Sequence, residues 1–223
     1  MIQLPLLERV RVLSHSLTSA RHLFSACAAL QMVEIDTTGI EDFSNCFYYC
    51  ISLRSIPELN TSSGTTFLAM FAGCSGLLVL PPLDTSNGID FRLMFAWSND
   101  YAGSLPSIPL LDTRKGEMFE GMFAGCSLRS VPRLDLSGLR GDINFSNARA
   151  LARIEVVGLG AANSFFQVGL NDTNLGAAAL NAFYANLEPI TSPGFLYVAN
   201  TPGPLDPDHD PTLATSKGWT IYY

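Results

Sequence analysis

The sequence predicts a repeat solenoid of short parallel strands and helical or 3₁₀ turns, followed by a small α/β segment that caps it. Two observations lead to this fold class. The five residues MFAGC occur at 70–74 and again at 122–126, and the segments around them align at a nearly constant interval. A fixed interval of roughly 20–50 residues is typical of folds in which each unit stacks on its neighbours.

Composition and charge narrow the class of protein. Of the 223 residues, 48% are hydrophobic and 15% are charged, against about 25% charged in ordinary globular domains. Much of the chain is therefore expected to lie in an interior. No apolar run approaches the roughly 20 residues of a membrane span, so membrane insertion is not expected. The net charge of −7 argues against nucleic acid as a partner.

Two sets of residues recur at the same interval. The shared pattern is F-x-x-C followed by x-x-L-x-x-[ILV]-P-x-L-D. Its phenylalanines follow one another at steps of 23, 24, 24 and 28 residues: Phe24, Phe47, Phe71, Phe95 and Phe123. Its closing residues do so at steps of 24, 24, 28 and 23: Asp36, Asn60, Asp84, Asp112 and Asp135. The four additional residues fall in the fourth unit, which predicts a surface insertion there.

Each part of the unit predicts a local structure. The L-x-x-I-P-x-L stretch predicts a brief parallel strand, because its proline cannot donate to the ladder. The following D-T-S predicts a polar corner in which side-chain oxygens hold backbone amides. The F-x-x-C segment predicts a helical or 3₁₀ turn whose Phe and Cys point inward and stack on their counterparts one coil away.

The cysteines indicate buried core positions rather than disulfides or a metal site. Five of them, an odd number, do not fit a disulfide framework. Only Cys46 and Cys50 are close in sequence, at i and i+4, whereas zinc sites favour paired C-x-x-C spacing. We therefore expect free, buried thiols and no metal site.

The repeats predict a division of the chain into 1–158 and 159–223. The first part reads as about six coils, with a degenerate sixth unit around Phe145 and Ile154. In the second part, NLGAAALNAFYANL has helical spacing with Asn174 as N-cap, GFLYVAN and WTIYY read as strands, and a short helical turn ends at Gly218. Because solenoids need a terminal element over the last coil, we expect this part to be the cap.

The unit F-x-x-C-x-x-L-x-x-I-P-x-L-D-T-S resembles the BspA-like branch of leucine-rich repeats, over roughly residues 2–157. Such repeats occur on bacterial surface proteins and on structural proteins of tailed bacteriophages. The resemblance implies a right-handed solenoid of the leucine-rich-repeat type and a non-enzymatic role in attachment or assembly. The segment from 159 onward looks like the closing segment of such phage proteins.

The chain shows no secretory signal at its start, which favours the phage version: a virion protein made in the host cytoplasm. One interpretation is a tail-fibre or receptor-binding module that contacts a host-surface glycan or protein through the strand side or the insertion. The other is a decoration, collar or assembly component that binds only other virion subunits. The resemblance also implies a possible homo-oligomer, a trimer.

The predicted binding residues lie in and beside the fourth-unit insertion: Trp97, Asn99, Asp100 and Tyr101. Aromatic and polar residues on a loop of a rigid scaffold are common in recognition sites. The alternative is that Trp97 packs over a gap left where Ser98 replaces the expected cysteine.

Other motifs give no catalytic residue and no cofactor. GLGAAN at 158–163 imitates a dinucleotide loop but has Asn163 at the third glycine position. DPDHDP places Asp206, Asp208 and Asp210 at alternate positions, as calcium loops do, without the central glycine or the distal glutamate. A solvated acidic turn is the competing interpretation of DPDHDP.

Overall fold

The computed structural model describes residues 6–12, 17–98, 105–161 and 166–223, and it is a parallel β-solenoid of about eight turns with few helices. The predicted repeat solenoid is thereby confirmed. The strands, numbered in chain order, are β1 (Arg9–Val12), β2 (Met32–Ile35), β3 (Ser130–Asp135), β4 (Ile143–Asn144), β5 (Arg153–Val157), β6 (Phe166–Gly169), β7 (Gly194–Tyr197) and β8 (Trp219–Tyr222). The helices are α1 (Ala177–Ala185) and α2 (Thr212–Thr215).

A first ladder of parallel pairs connects successive coils along the described chain. Isolated bridges join Ser19, Asp42, Thr66, Asp90 and Met118 in turn, and Phe119 then pairs with Ile143. From Ile143 the ladder continues through β6, β7 and β8 in parallel register. The winding therefore extends beyond residue 158, into the segment that was predicted to be the cap.

A second ladder carries the I-P-x-L segments. It pairs β1 with β2 and β3 with β5, and between them Ser55 bridges to Val79. In the β3–β5 pair, Val131 faces Ile154 and Leu134 faces Val156, so that Pro132 and Arg133 together oppose Glu155. Two residues opposite one form a β-bulge, which tolerates the missing proline N–H. The strands of this ladder without proline, β1, β2 and β5, have no such extra residue.

The F-x-x-C segments are not helical, which corrects the predicted helical or 3₁₀ turn. In the second coil the amide of Cys50 bonds back to the carbonyl of Phe47, but the amide of Tyr49 donates to Ala72 in the next coil at 2.9 Å. Asn45 and Tyr49 both have positive φ, at 55°. A helix would use these amides internally, whereas this chain of turns leaves alternate amides free to join neighbouring coils.

Two columns of stacked phenylalanines fill the interior. The predicted column runs from Phe24 to Phe145, with ring centroids 5.2–5.9 Å apart, and is confirmed. A second column, which the sequence reading missed, stacks Phe43, Phe67, Phe91 and Phe119 at 5.3–5.6 Å. Parallel offset rings at this separation add roughly 0.5–1.5 kcal/mol per pair beyond their buried area.

The cysteines are free and buried, as predicted. The thiol of Cys74 donates to the carbonyl of Phe47 at 2.8 Å, and the thiol of Cys50 donates to Phe24 at 3.1 Å. Ser98 takes the same place in the fourth coil, but its hydroxyl donates to the carbonyl of Phe95 in its own coil at 2.8 Å. Serine therefore stays hydrogen-bonded at this position, although to a different coil than the cysteines.

The polar corners form as predicted. Asp84 accepts a hydrogen bond from the amide of Ser86 at 3.1 Å, and Asp135 accepts one from the amide of Ser137 at 3.0 Å. Thr85, between Asp84 and Ser86, is buried, and its hydroxyl donates to the carbonyl of Asp112 in the next coil at 3.0 Å. The corner thus turns the chain and also joins adjacent coils.

Beyond residue 158 the second ladder gives way to helices while the first ladder continues. Helix α1 packs against β5 and α2, and it begins after Gly176 rather than at the predicted cap Asn174. The predicted strands at GFLYVAN and WTIYY correspond to β7 and β8, and the turn of α2 precedes Gly218. Among the described residues, no helix has the length and apolar character that crossing a membrane requires.

Candidate binding face

One outward column of residues with left-handed backbone runs along the solenoid beside the Phe column. Its members have positive φ and are Ala26, Tyr49, Gly73, Trp97, Gly125, Asn147, Asp172 and Asn200. Each of the first seven donates its amide to a carbonyl of the next coil, as Trp97 does to Ala124 at 2.9 Å and Asn147 does to Asn171 at 2.9 Å. We call the surface around this column the turn face.

The MFAGC segments place a glycine in this column, at Gly73 and Gly125. Their φ values of 70° and 62° favour glycine, because a Cβ is strained in that region. A Cβ on Gly73 would lie 2.7 Å from the ring of Tyr49, and one on Gly125 would lie 3.3 Å from Cδ1 of Trp97. Each glycine therefore also makes room for an aromatic ring from the preceding coil.

A small apolar cluster lies in the same segments. Ala69, Ala72 and Ala96 are buried, and Tyr48, Leu68 and Leu93 pack against them. By contrast, Tyr49 is 43% exposed and Trp97 is 48% exposed. The turn face therefore presents two aromatic side chains, each held over a glycine and half open to solvent.

The structure describes one of the four predicted site residues. Trp97 lies in the left-handed column with a φ of 52°, and its ring lies over Gly125 rather than over Ser98, which is buried and hydrogen-bonded. The other three, Asn99, Asp100 and Tyr101, lie outside the described residues. Their place in a binding site stays a prediction.

An open depression of about 610 Å³ lies beside Trp97. Its lining is drawn from three successive coils: Trp97, Gly125, Cys126, Ser127, Asn147, Arg149 and Ala150. Sequence reasoning missed the residues of the later coils, although aligning the units would have placed Gly125 and Asn147 beside Trp97. We call this surface the Trp97 depression.

The polar groups of the Trp97 depression differ from those elsewhere on the turn face. Arg92 is bound by Asp90 through two hydrogen bonds of 3.0 and 2.7 Å. Arg149 is exposed and makes no ion pair with any described residue. The hydroxyl oxygen of Ser127 is buried and has no hydrogen-bond partner among the described residues. The depression thus offers an uncommitted cation and an unsatisfied hydroxyl beside an aromatic ring.

The thiols are poorly suited to nucleophilic chemistry. Burial raises the pKa of Cys126 to about 11 and that of Cys74 to about 12. Burial likewise raises the pKa values of Cys46 and Cys50, and neighbouring thiols act in the same direction. Since the thiolate is the reactive form, these side chains stay protonated and inert near neutral pH.

The acidic turn uses its carboxylates locally. Asp206 accepts a hydrogen bond from the amide of Asp208 at 2.9 Å, and Asp210 accepts one from the amide of Thr212 at 3.0 Å. The carbonyl of Asp208 accepts a bond from Asn181 of α1 at 2.8 Å. Within the described ranges, no group of three or more His, Cys, Asp or Glu side chains is arranged to hold a metal ion.

The glycines of GLGAAN serve packing. A Cβ on Gly160 would lie 2.8 Å from Ile190 and 3.2 Å from the ring of Trp219. The indole N–H of Trp219 donates to the carbonyl of Glu188 at 3.0 Å. Gly160 therefore allows its segment to lie close to Ile190 and to Trp219 of β8. Asn163 of the same motif lies outside the described residues.

Comparison of the chain with protein-family models, with curated proteins and with solved structures gives no match. The class of protein therefore rests on the fold and the turn face. They define a parallel β-solenoid protein that presents two half-exposed aromatic side chains, Tyr49 and Trp97, on one side.

Proposed function

We propose that the chain is a non-enzymatic binding module of a bacteriophage particle, a tail-fibre or receptor-binding component built from BspA-like leucine-rich repeats. In this proposal the turn face around Trp97 contacts a host-surface glycan or protein. The repeat pattern supports the family, and the exposed aromatic side chains of Tyr49 and Trp97 support the binding role. The module would be assembled into the virion in the host cytoplasm, as a trimer if it follows the repeat proteins that it resembles.

The observation that carries the proposal is the way in which Trp97 is held. Its backbone is hydrogen-bonded to the next coil through its own amide, and its ring lies against Gly125. Nearly half of the side chain nevertheless remains in contact with solvent. A rigid, exposed aromatic residue loses little conformational freedom on binding, which is why such residues are frequent in recognition surfaces.

Binding of the purified protein to bacterial cells tests the proposal. Trp97→Ala should reduce the bound fraction at least tenfold, because it removes the exposed ring without touching the stacked core. Leu110→Ala is the matched control: Leu110 is 69% exposed but lies in the I-P-x-L segment on the strand side. Equal loss of cell binding in both variants, or none in Trp97→Ala, would contradict a receptor site on the turn face.

A second function is favoured by the far end of the sheet. Strand β8 pairs with β7 and with no other described strand, while Tyr222 and Tyr223 beside it are 46% and 64% exposed. An unpaired strand edge flanked by aromatic residues is a surface onto which another chain can add. A decoration or collar component would bind other virion subunits there, and Tyr222→Ala would then impair incorporation into particles while cell binding stays unchanged.

A further inference from the structure

We infer that the Trp97 depression binds an acidic saccharide, with a sugar ring on the indole of Trp97 and the sugar carboxylate at Arg149. The inference rests on the proposed function and specifies its ligand. The arrangement of three coils and the chemistry of the two walls support it.

Three coils give the depression its shape. At equivalent positions of the left-handed column they carry Trp97, Gly125 and Asn147. Gly125 has no side chain, and the indole of Trp97 lies over it, 3.3 Å from where a Cβ would stand. Asn147 is two coils away from Trp97, a backbone separation of ~10 Å with strands about 4.8 Å apart. The exposed part of the indole and the side chains of the third coil are therefore the two walls of the depression, and a single sugar unit can contact both.

The first wall suits the apolar side of a sugar. Pyranose rings carry C–H groups on one side, and these pack well against the flat surface of an aromatic ring. Trp97 offers such a surface at 48% exposure. Gly125 allows the ring to lie close to the backbone, since any larger residue would meet Cδ1 of Trp97.

The second wall, formed by Arg149 and Asn147, suits the carboxylate and the hydroxyls of an acidic sugar. A guanidinium binds carboxylates in a two-point geometry that a neutral sugar cannot use. Arg149 is available for this because it has no ion pair among the described residues, unlike Arg92 with its partner Asp90. Asn147 is exposed beside it, and its amide can both donate to and accept from sugar hydroxyls.

The number of cationic contacts separates a saccharide carboxylate from a polyanion. Nucleic acid binding needs many phosphate contacts, which a protein of net charge −7 with a single uncommitted arginine in the depression does not supply. One uncommitted arginine is enough for one carboxylate per binding site. A protein partner is disfavoured by size, since a stable interface buries roughly 800 Å² on each side, far more than this depression offers.

Paired ligands test the inference. Uronic-acid and sialic-acid oligosaccharides are titrated calorimetrically into the protein, each beside its carboxyl-reduced counterpart, which keeps the ring and hydroxyls. We expect at least one acidic oligosaccharide to bind tenfold or more tightly than its reduced form. Arg149→Gln should abolish that preference, and Trp97→Ala should remove binding of both forms.

Arg133→Gln is the control, because it removes the same charge from an exposed arginine on the strand side. It should leave both affinities unchanged, and all variants should keep the native melting temperature. Equal affinity for acidic and reduced forms, no binding of any acidic oligosaccharide, or equal effects of Arg149→Gln and Arg133→Gln would overturn the inference. If Trp97-dependent binding to cells persists in those cases, the receptor function stands and only the ligand class is wrong.

Discussion

The glycines of the MFAGC segments meet two separate requirements, a left-handed backbone and space for an aromatic ring. Gly73 has both, with a φ of 70° and the ring of Tyr49 2.7 Å from where a Cβ would stand. Gly39 has only the first, since its φ is 76° and no atom lies within 4 Å of that point. The two requirements can therefore be measured separately.

Gly39→Ala should lower the free energy of unfolding by about 1–2 kcal/mol, the cost of a left-handed alanine. Gly73→Ala should cost more, because its methyl group also displaces the Tyr49 ring. In a protein that already carries Tyr49→Ala, the change Gly73→Ala should lower the free energy of unfolding by the same amount as Gly39→Ala does. Chemical denaturation of these three variants and of Tyr49→Ala alone measures this, and equal costs at the two glycines would show that the ring contact contributes nothing.

The buried thiols make stability depend on pH in the alkaline range. Burial raises the pKa of Cys126 from 9.0 to about 11, so above pH 9 the unfolded chain releases a proton that the folded chain retains. Stability is therefore complete below pH 9 and falls as the pH rises, by up to about 1.4 kcal/mol per pH unit for one thiol.

Cys126→Ser should reduce this alkaline loss, since serine does not titrate and is already accepted at Ser98 in the same column. The measurement is the difference in unfolding free energy between pH 8 and pH 10, in the presence of reductant, for the native protein and the variant. Parallel pH profiles would show that Cys126 ionises as readily in the folded chain as in the unfolded one.

Among the elements, helix α1 depends on a residue from a later turn. The ammonium group of Lys217 donates to the carbonyls of Tyr184, Ala185 and Leu187 at 3.1, 2.7 and 2.8 Å. Tyr184 and Ala185 end the helix, where carbonyls have no intrahelical donor, and Leu187 follows directly after it. One side chain therefore fastens α1 to the segment that precedes β8.

Lys217→Met should destabilise the protein by about 1–3 kcal/mol, because three carbonyls lose a charged donor. Lys115→Met is the matched control, since the Lys115 ammonium makes a single exposed bond to Asn87; it should change stability by less than about 0.5 kcal/mol. Thermal and denaturant unfolding measure both. An effect of Lys217→Met no larger than that of the control would remove the assigned role of the lysine.

The elements also show where sequence reading succeeds and where it fails. Phe71 and Asp84 stand at fixed positions in every unit, so their roles follow from the repeat. The left-handed conformation of Asn45 and Tyr49 does not follow from the repeat, because F-x-x-C spacing fits a helical turn equally well. Only the hydrogen bonds from these amides to the next coil distinguish a helical turn from the observed turns. The Phe67 column has the same spacing as the Phe71 column and could have been found.

For the whole molecule, the main difference is where the winding ends. The signature F-x-x-C…P-x-L-D ends near residue 158 because α1 replaces a strand of the second ladder. The first ladder continues through Ile143, Val168, Leu196 and Ile221. No recurring residue type marks these positions in the sequence. The Trp97 depression was missed for a related reason: Arg149 is 52 residues from Trp97 in sequence and reaches it only through stacking of coils.

Hydrogen exchange resolved to single amides tests the continuous winding most directly. The amides of Tyr49, Gly73, Trp97, Gly125, Asn147 and Asp172 each donate to the next coil, so all six should exchange slowly and with similar free energies of opening. Fast exchange at Asn147 and Asp172, with protection of the four earlier amides, would contradict it, because the ladder would then end before the later turns.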